Sequence, residues 1–151
     1  MSRDLLYEDT WRSALRILGL IALLLEAGVI YAVVERDDWL AGVSALEARV
    51  ALGEVFPEAV SEVSKDQSPE VFYHVVLRDV PRGWPLELDC EWQDPSGNVA
   101  RRNHYRTRFI HKGTWPTHCR QRFGPTSVPG EWQVRLLMDQ RVLSSSSFVL
   151  K

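Results

Sequence analysis

Hydrophobic and polar positions follow different rhythms in the two parts of the chain. From Ile17 to Val34 the run ILGLIALLLEAGVIYAVV is apolar at every position except Glu26. As a helix rising 1.5 Å per residue it spans roughly 27 Å, close to the bilayer hydrocarbon thickness of about 30 Å. Ala14 and Leu15 extend it, and the pattern predicts a transmembrane helix over 14–34. A cleaved export signal has a basic start and small residues just past its apolar stretch. Here Asp4, Glu8 and Asp9 precede the run and Glu35-Arg36-Asp37-Asp38 closes it, while the small tripeptide Val43-Ser44-Ala45 lies too far downstream. An uncleaved single-pass anchor is therefore expected, in preference to a signal or a buried soluble helix.

Residues 35–66 read as a connector. Trp39, Val43, Leu46 and Val50 recur at helical spacing and predict an amphipathic helix, which Gly53 and Pro57 should stop. Trp39 is then a candidate membrane-interface residue. Beyond residue 67 the period becomes alternating, with turn formers such as Pro81-Arg82-Gly83 and Asp94-Pro95-Ser96-Gly97-Asn98 between strands. Strands are predicted at 71–77, 86–93, 99–104, 105–110, 117–123, 131–138 and 141–150, with one long strand over 99–110 as the alternative to the third and fourth. Six or seven short strands in 67–151 predict an all-β domain, an antiparallel immunoglobulin-like β-sandwich.

The pleat places Leu86, Leu88, Cys90 and Trp92 on one side of their strand and Trp132, Val134, Leu136 and Met138 on one side of theirs. Cys119 shares a side with Phe123, so a Cys90–Cys119 disulfide across the core is expected. Its Cys-x-Trp spacing is not that of antibody domains. A bridged pair belongs in an oxidising compartment, whereas two reduced core thiols would suit the cytosol. Arg3, Arg12 and Arg16 before the apolar run and Arg36 and Arg49 after it give a slight positive-inside preference. Together these features predict a cytoplasmic N-terminus (1–13) and a periplasmic or otherwise extracytoplasmic C-terminal domain, held at the inner membrane.

A length of 151 residues allows one core plus an appendage. The net charge of −2 conceals a division: residues 1–99 carry 8 Lys/Arg against 18 Asp/Glu, and residues 100–151 carry 10 against 2. Such polarity either favours charged partners or neutralises itself when an acidic strand lies beside a basic one.

Candidate chemistry begins with Glu26. A charge at the centre of a membrane helix costs about 2.5–3.5 kcal/mol on insertion scales, so the carboxyl needs a partner. Its face includes Ala22, and Gly28 and Ala32 form a small-xxx-small pair beside it. Glu26, Ala22, Gly28 and Ala32 are accordingly the predicted intramembrane contact with other membrane helices. In RRNHYRTRF, Arg102, His104, Arg106 and Arg108 point to one side of an extended strand. This row is a candidate extramembrane contact, with pairing to Glu87, Asp89 and Glu91 as the internal alternative; those acids otherwise read as solubilising charge. Interleaved arginines and aromatics bind single-stranded nucleic acid in other settings, but outside the cytoplasm no nucleic acid is expected.

The histidines His74, His104, His111 and His118 match no metal-ligand spacing with the cysteines. A disulfide would consume the thiol of a Cys119–His74 nucleophile pair. Ser144 to Ser147 adjoin no Gly-x-Ser-x-Gly elbow. No enzyme, cofactor, metal or small-molecule ligand is expected.

The ending PGEWQVRLLMDQRVLSSSSFVLK resembles the final hairpin of bacterial membrane-anchored β-sandwich domains of unknown function, in which G-x-W-x-V precedes a strand, a turn, a Leu and a closing F-x-V. Gly130, Trp132, Val134, Leu143 and Phe148 occupy those places, and Leu150 departs from the usual Val. The resemblance implies an extracytoplasmic accessory module and brings no catalytic residues. The resulting expectation is a non-catalytic accessory subunit that assembles with or stabilises integral membrane protein subunits in the lipid bilayer, in a bioenergetic complex such as a photosynthetic reaction centre or respiratory enzyme. The alternative is a free-standing envelope domain that binds glycan or peptide in a concave aromatic groove.

Overall fold

A computed structural model describes residues 4–55 and 58–151, with side chains outside 4–14 and 35–38. The chain forms two compact units, residues 1–41 and 42–151.

The first unit is one helix, α1 (Asp4–Ala41), 38 residues long. Its apolar stretch has no polar stripe to stop it, so it continues through the predicted 14–34 segment at both ends. Every described side chain from Leu15 to Val34 is exposed, and none of the apolar window is buried by the rest of the chain. By length and composition this helix could cross a membrane, as an anchor or as a signal. Part of the expected 1–13 segment lies outside the described residues.

Among its described residues the second unit has eight strands: β1 (Ser44–Ala51), β2 (Glu62–Val63), β3 (Glu70–Arg78), β4 (Glu87–Gln93), β5 (Val99–Arg106), β6 (Thr114–Arg122), β7 (Gly130–Met138) and β8 (Arg141–Leu150). They form two sheets, β1-β3-β6 and β2-β8-β7-β4-β5. Pairing is antiparallel except for β2 beside β8. This is the predicted two-sheet sandwich.

The connector differs from its prediction. Residues 44–51 pair with β3 as a strand, and β2 follows, so the sandwich begins at residue 42 rather than 67. Trp39 ends up in α1, half exposed, while Val43 and Val50 are buried in the sandwich. The i, i+3, i+4 spacing that predicted an amphipathic helix is short enough to be satisfied by a strand as well, and the otherwise unpaired edge of β3 decides between them. Pro57 lies outside the described residues.

The core is as the pleat predicts. Leu86, Leu88, Cys90 and Trp92 from β4 and its approach meet Trp132, Val134, Leu136 and Met138 from β7, all buried. The β7–β8 register shifts between Leu136 and Leu137, and Leu137, opposite Asp89 on the other face of the sheet, is buried as well. Phe123 is the hub of an aromatic cluster, with edge-on contacts to Trp132 at 4.8 Å, Phe148 at 5.6 Å and Trp92 at 6.1 Å between ring centres. Such edge-to-face pairs add about 0.5–1.5 kcal/mol each beyond their buried area. Cys90 on β4 and Cys119 on β6 are joined, with Cα atoms 6.4 Å apart, so the bridge staples one sheet to the other.

The closing-hairpin residues are packing residues. Gly130 has φ +131°, and a Cβ there would lie 2.9 Å from Pro95 Cγ in the β4–β5 turn, so only glycine fits. Trp132 Nε1 donates to Val128 O at 2.8 Å, and Phe148 and Leu150 are buried beside it.

Tyr73 on β3 carries a polar contact into the core, its hydroxyl donating to Ser144 Oγ on β8 at 2.9 Å. Burial pushes the phenol upward against the hydrogen bonds of Ser144 and Ser146. Tyr73→Phe is expected to cost about 0.5–1.5 kcal/mol, read by urea denaturation of the purified chain.

Candidate functional site

Three surfaces carry the candidate chemistry, two of them predicted from the sequence. The first is α1 itself. Glu26, Ala22, Gly28 and Ala32 all lie within the exposed apolar helix, and nothing approaches within 4 Å of the position a Cβ would take on Gly28. That opening is what a second helix needs for close approach.

The second surface is the outer face of the larger sheet. The register sets Arg102 opposite Glu91, His104 opposite Asp89 and Arg106 opposite Glu87, and sets Arg135 of β7 opposite Glu91 from the other side. Glu91 is consequently only 2 % exposed, hydrogen-bonded by Arg102 and by Arg135 Nη2 at 2.6 Å. It is not the solubilising surface charge expected of it. Burial alone raises its carboxyl, but the hydrogen bonds and charges of Arg135 and Arg102 outweigh burial and hold it below the usual carboxylate range.

His104 bridges the remaining two acids, Nδ1 to Asp89 Oδ1 at 2.9 Å and Nε2 to Glu87 Oε2 at 3.0 Å; Arg106 Nε lies 3.5 Å from Glu87 Oε1. The cationic row is thus paired within the chain over Arg102, His104 and Arg106, the internal alternative that the sequence offered. The cause is the antiparallel register, which sets an acidic strand beside a basic one in step. Hydrogen bonds to Asp89, then Glu87, raise the His104 pKa. A raised histidine contributes stability that is complete below its unfolded value of about 6.5 and is lost as pH rises through the folded value. An NMR titration should place the His104 midpoint above the ordinary histidine value, and Asp89→Asn should bring it down.

The third surface was not predicted. Beyond Arg106 the chain leaves the sheet, and Arg108 and Phe109 belong to the β5–β6 loop rather than to a continuing strand. Thr107 ends the pairing by binding Leu86 twice: its N–H donates to Leu86 O at 2.9 Å, and its Oγ1 accepts from Leu86 N–H at 2.8 Å. Two further bonds, Val80 N–H to Gly113 O and Gly83 N–H to Ile110 O, stitch this loop to the β3–β4 loop. Val80, Leu86 and Ile110 are buried beneath, while Trp84 is 55 % and Phe109 64 % exposed. A cleft of about 670 Å³ opens here, lined by Pro85, Arg106, Arg108, Phe109, His111 and Trp115 among others. The clue was present in PRGWPL and RFIHKGTW, turn segments holding more aromatic residues than a turn requires.

The weighed catalytic and metal arrangements do not assemble. Cys119 is bonded to Cys90 and is not a free thiol. His74 Nε2 lies 2.8 Å from Gly53 O. Among the described residues no group of three or more His, Cys, Asp or Glu is arranged to hold a metal ion.

No protein-family model matches this sequence, and no curated protein matches it. Solved structures do match. An immunoglobulin-like protein from Pseudomonas aeruginosa aligns with a TM-score of 0.51 and 16 % identity, covering 72 % of this chain and 96 % of that one. The alkylpurine DNA glycosylase AlkC of Pseudomonas fluorescens, bound to DNA containing an abasic site analogue, aligns with the same TM-score and identity, but the match spans only 30 % of its length. At this identity the likeness is one of fold alone: the chain carries an immunoglobulin-like β-sandwich with one intersheet disulfide, behind a long apolar helix that is an anchor or a signal.

Proposed function

We propose that this protein is a non-catalytic, single-pass membrane subunit with its N-terminus in the cytoplasm. Its helix docks against other membrane helices and its disulfide-stapled sandwich stands on the extracytoplasmic side. One observation carries the reading. Glu26 sits near the middle of a helix whose apolar surface is left uncovered by its own chain, next to the small residues Gly28 and Ala32. A carboxyl at that depth finds its hydrogen-bond partner on a neighbouring helix, and small residues let that neighbour come close. Nothing among the described residues singles out a photosynthetic or respiratory complex, so the partner is stated only as an integral membrane protein.

Native gel migration after gentle detergent extraction tests this. The full chain should run in a large assembly, and Glu26→Leu or Gly28→Leu should release it as a smaller species without changing its amount in the membrane. Migration as a monomer, unchanged by both substitutions, contradicts the proposal. That outcome favours a free-standing envelope domain that binds glycan or peptide, a reading supported by the aromatic cleft between the β3–β4 and β5–β6 loops.

A further inference from the structure

We propose that the pole of the sandwich formed by the β3–β4 and β5–β6 loops is a docking surface for anionic phospholipid headgroups. The inference rests on α1 being a membrane anchor.

The two loops are a built platform. Four hydrogen bonds join them, and Val80, Leu86 and Ile110 form a buried floor. On that floor the large side chains of Trp84 and Phe109 are left facing solvent. A ring with an apolar body suits the boundary between headgroups and acyl chains.

Charge identifies the occupant. Arg82, Arg108, His111 and Lys112 are exposed around the two aromatics. In residues 79–86 and 107–113 the acidic side chain is Asp79, whose carboxylate lies 3.8 Å from Arg78 Nε. This pole therefore keeps the positive excess that the β5 row loses to β4. Basic side chains set around exposed aromatics match a surface of phosphate groups over hydrocarbon, whereas a neutral glycan would use the rings and have no need of the cations.

Connectivity brings the lipid near. The chain joins the sandwich at this same pole, where Ser44 pairs with Arg78 at the end of β3 and Thr114 pairs with Arg78 from the other side. Seven helical residues, 35–41, follow Val34, roughly 10 Å at 1.5 Å per residue. The tether is comparable to one headgroup layer.

Nitroxide labels on the full chain test this in vesicles of phosphatidylcholine with and without phosphatidylglycerol. Because both native cysteines are bonded, Trp84→Cys and Phe109→Cys each supply one reactive thiol. Val128→Cys marks the β6–β7 loop at the opposite pole, and Leu24→Cys reports the anchor itself. With anionic lipid, labels at 84 and 109 should gain oxygen accessibility and lose access to a water-soluble nickel chelate, while 128 stays aqueous. Combined Arg82→Glu, Arg108→Glu and Lys112→Glu should abolish the shift. Labels at 84 and 109 that remain as aqueous as 128 in both vesicles, while 24 is in lipid, overturn the docking surface and leave the anchor standing. Shielding that ignores lipid charge, or that appears only with a soluble glycan, also overturns it. An aqueous label at 24 instead overturns the anchor.

Discussion

Replacing Cys90 and Cys119 together by alanine is expected to lower the stability of the sandwich by roughly 3–4 kcal/mol on the chain-entropy account of a bridge closing a loop of this length; the sequence separation is 29. The bridge joins β4 of one sheet to β6 of the other, beside Trp92 and Phe123. Without it, the unfolded chain regains the freedom the loop removed, and the two sheets hold together only by packing. Near-UV circular dichroism of the purified full chain during heating should show the transition falling by about 10–20 °C, and reductant should reproduce the fall in the unsubstituted protein. A shift of only a degree or two would mean that packing alone holds the sheets.

The buried carboxylate on the outer face should give an effect of similar size and a distinctive pH dependence. Substituting both Arg102 and Arg135 by alanine strands Glu91, which is 2 % exposed, without its cations. Breaking a buried pair from one side costs about 3–5 kcal/mol. Glu91→Gln should cost less, because Arg102 keeps most of its side chain in water and the amide still accepts a hydrogen bond. In the unsubstituted chain the folded carboxyl lies below its ordinary value, so its contribution is present above the unfolded pKa of about 4.3 and is lost as pH falls through the folded value. In the double variant the hydrogen bonds and charges that lower the group are gone. The stability gap between the two proteins is therefore largest near neutrality and should close as pH falls below about 4. Urea denaturation across that range measures it; a gap independent of pH would place the loss in packing rather than in charge.

Much of the fold was legible because its signals are local. The apolar run, the alternation of Leu86 to Trp92 and of Trp132 to Met138, and the inward Cys90 and Cys119 are each visible within a few neighbouring residues. What escaped depended on partners distant in sequence. Residues 44–51 are recruited as a strand by β3, and the pair Glu62–Val63 is too short to leave a pattern of its own. The same reason governs the polar surface. Glu91 reads as an alternating surface acid until β5 and β7 close over it with Arg102 and Arg135. The apparent binding row was legible as a row, but the register alone determines that it faces Glu87, Asp89 and Glu91. The loop platform could be glimpsed only as an excess of aromatics in turns, since its hydrogen bonds join residues on either side of two strands.

The central claim is that α1 stays in the membrane while the sandwich oxidises on its far side. Cells producing the full chain can be quenched in acid, their membranes washed in alkaline carbonate, and the denatured pellet treated with a polymer-linked maleimide. The account predicts that the intact chain remains in the pellet and gains polymer on Cys90 and Cys119 only after reduction. Release of the chain into the carbonate supernatant, or labelling of both cysteines without reductant, would contradict it.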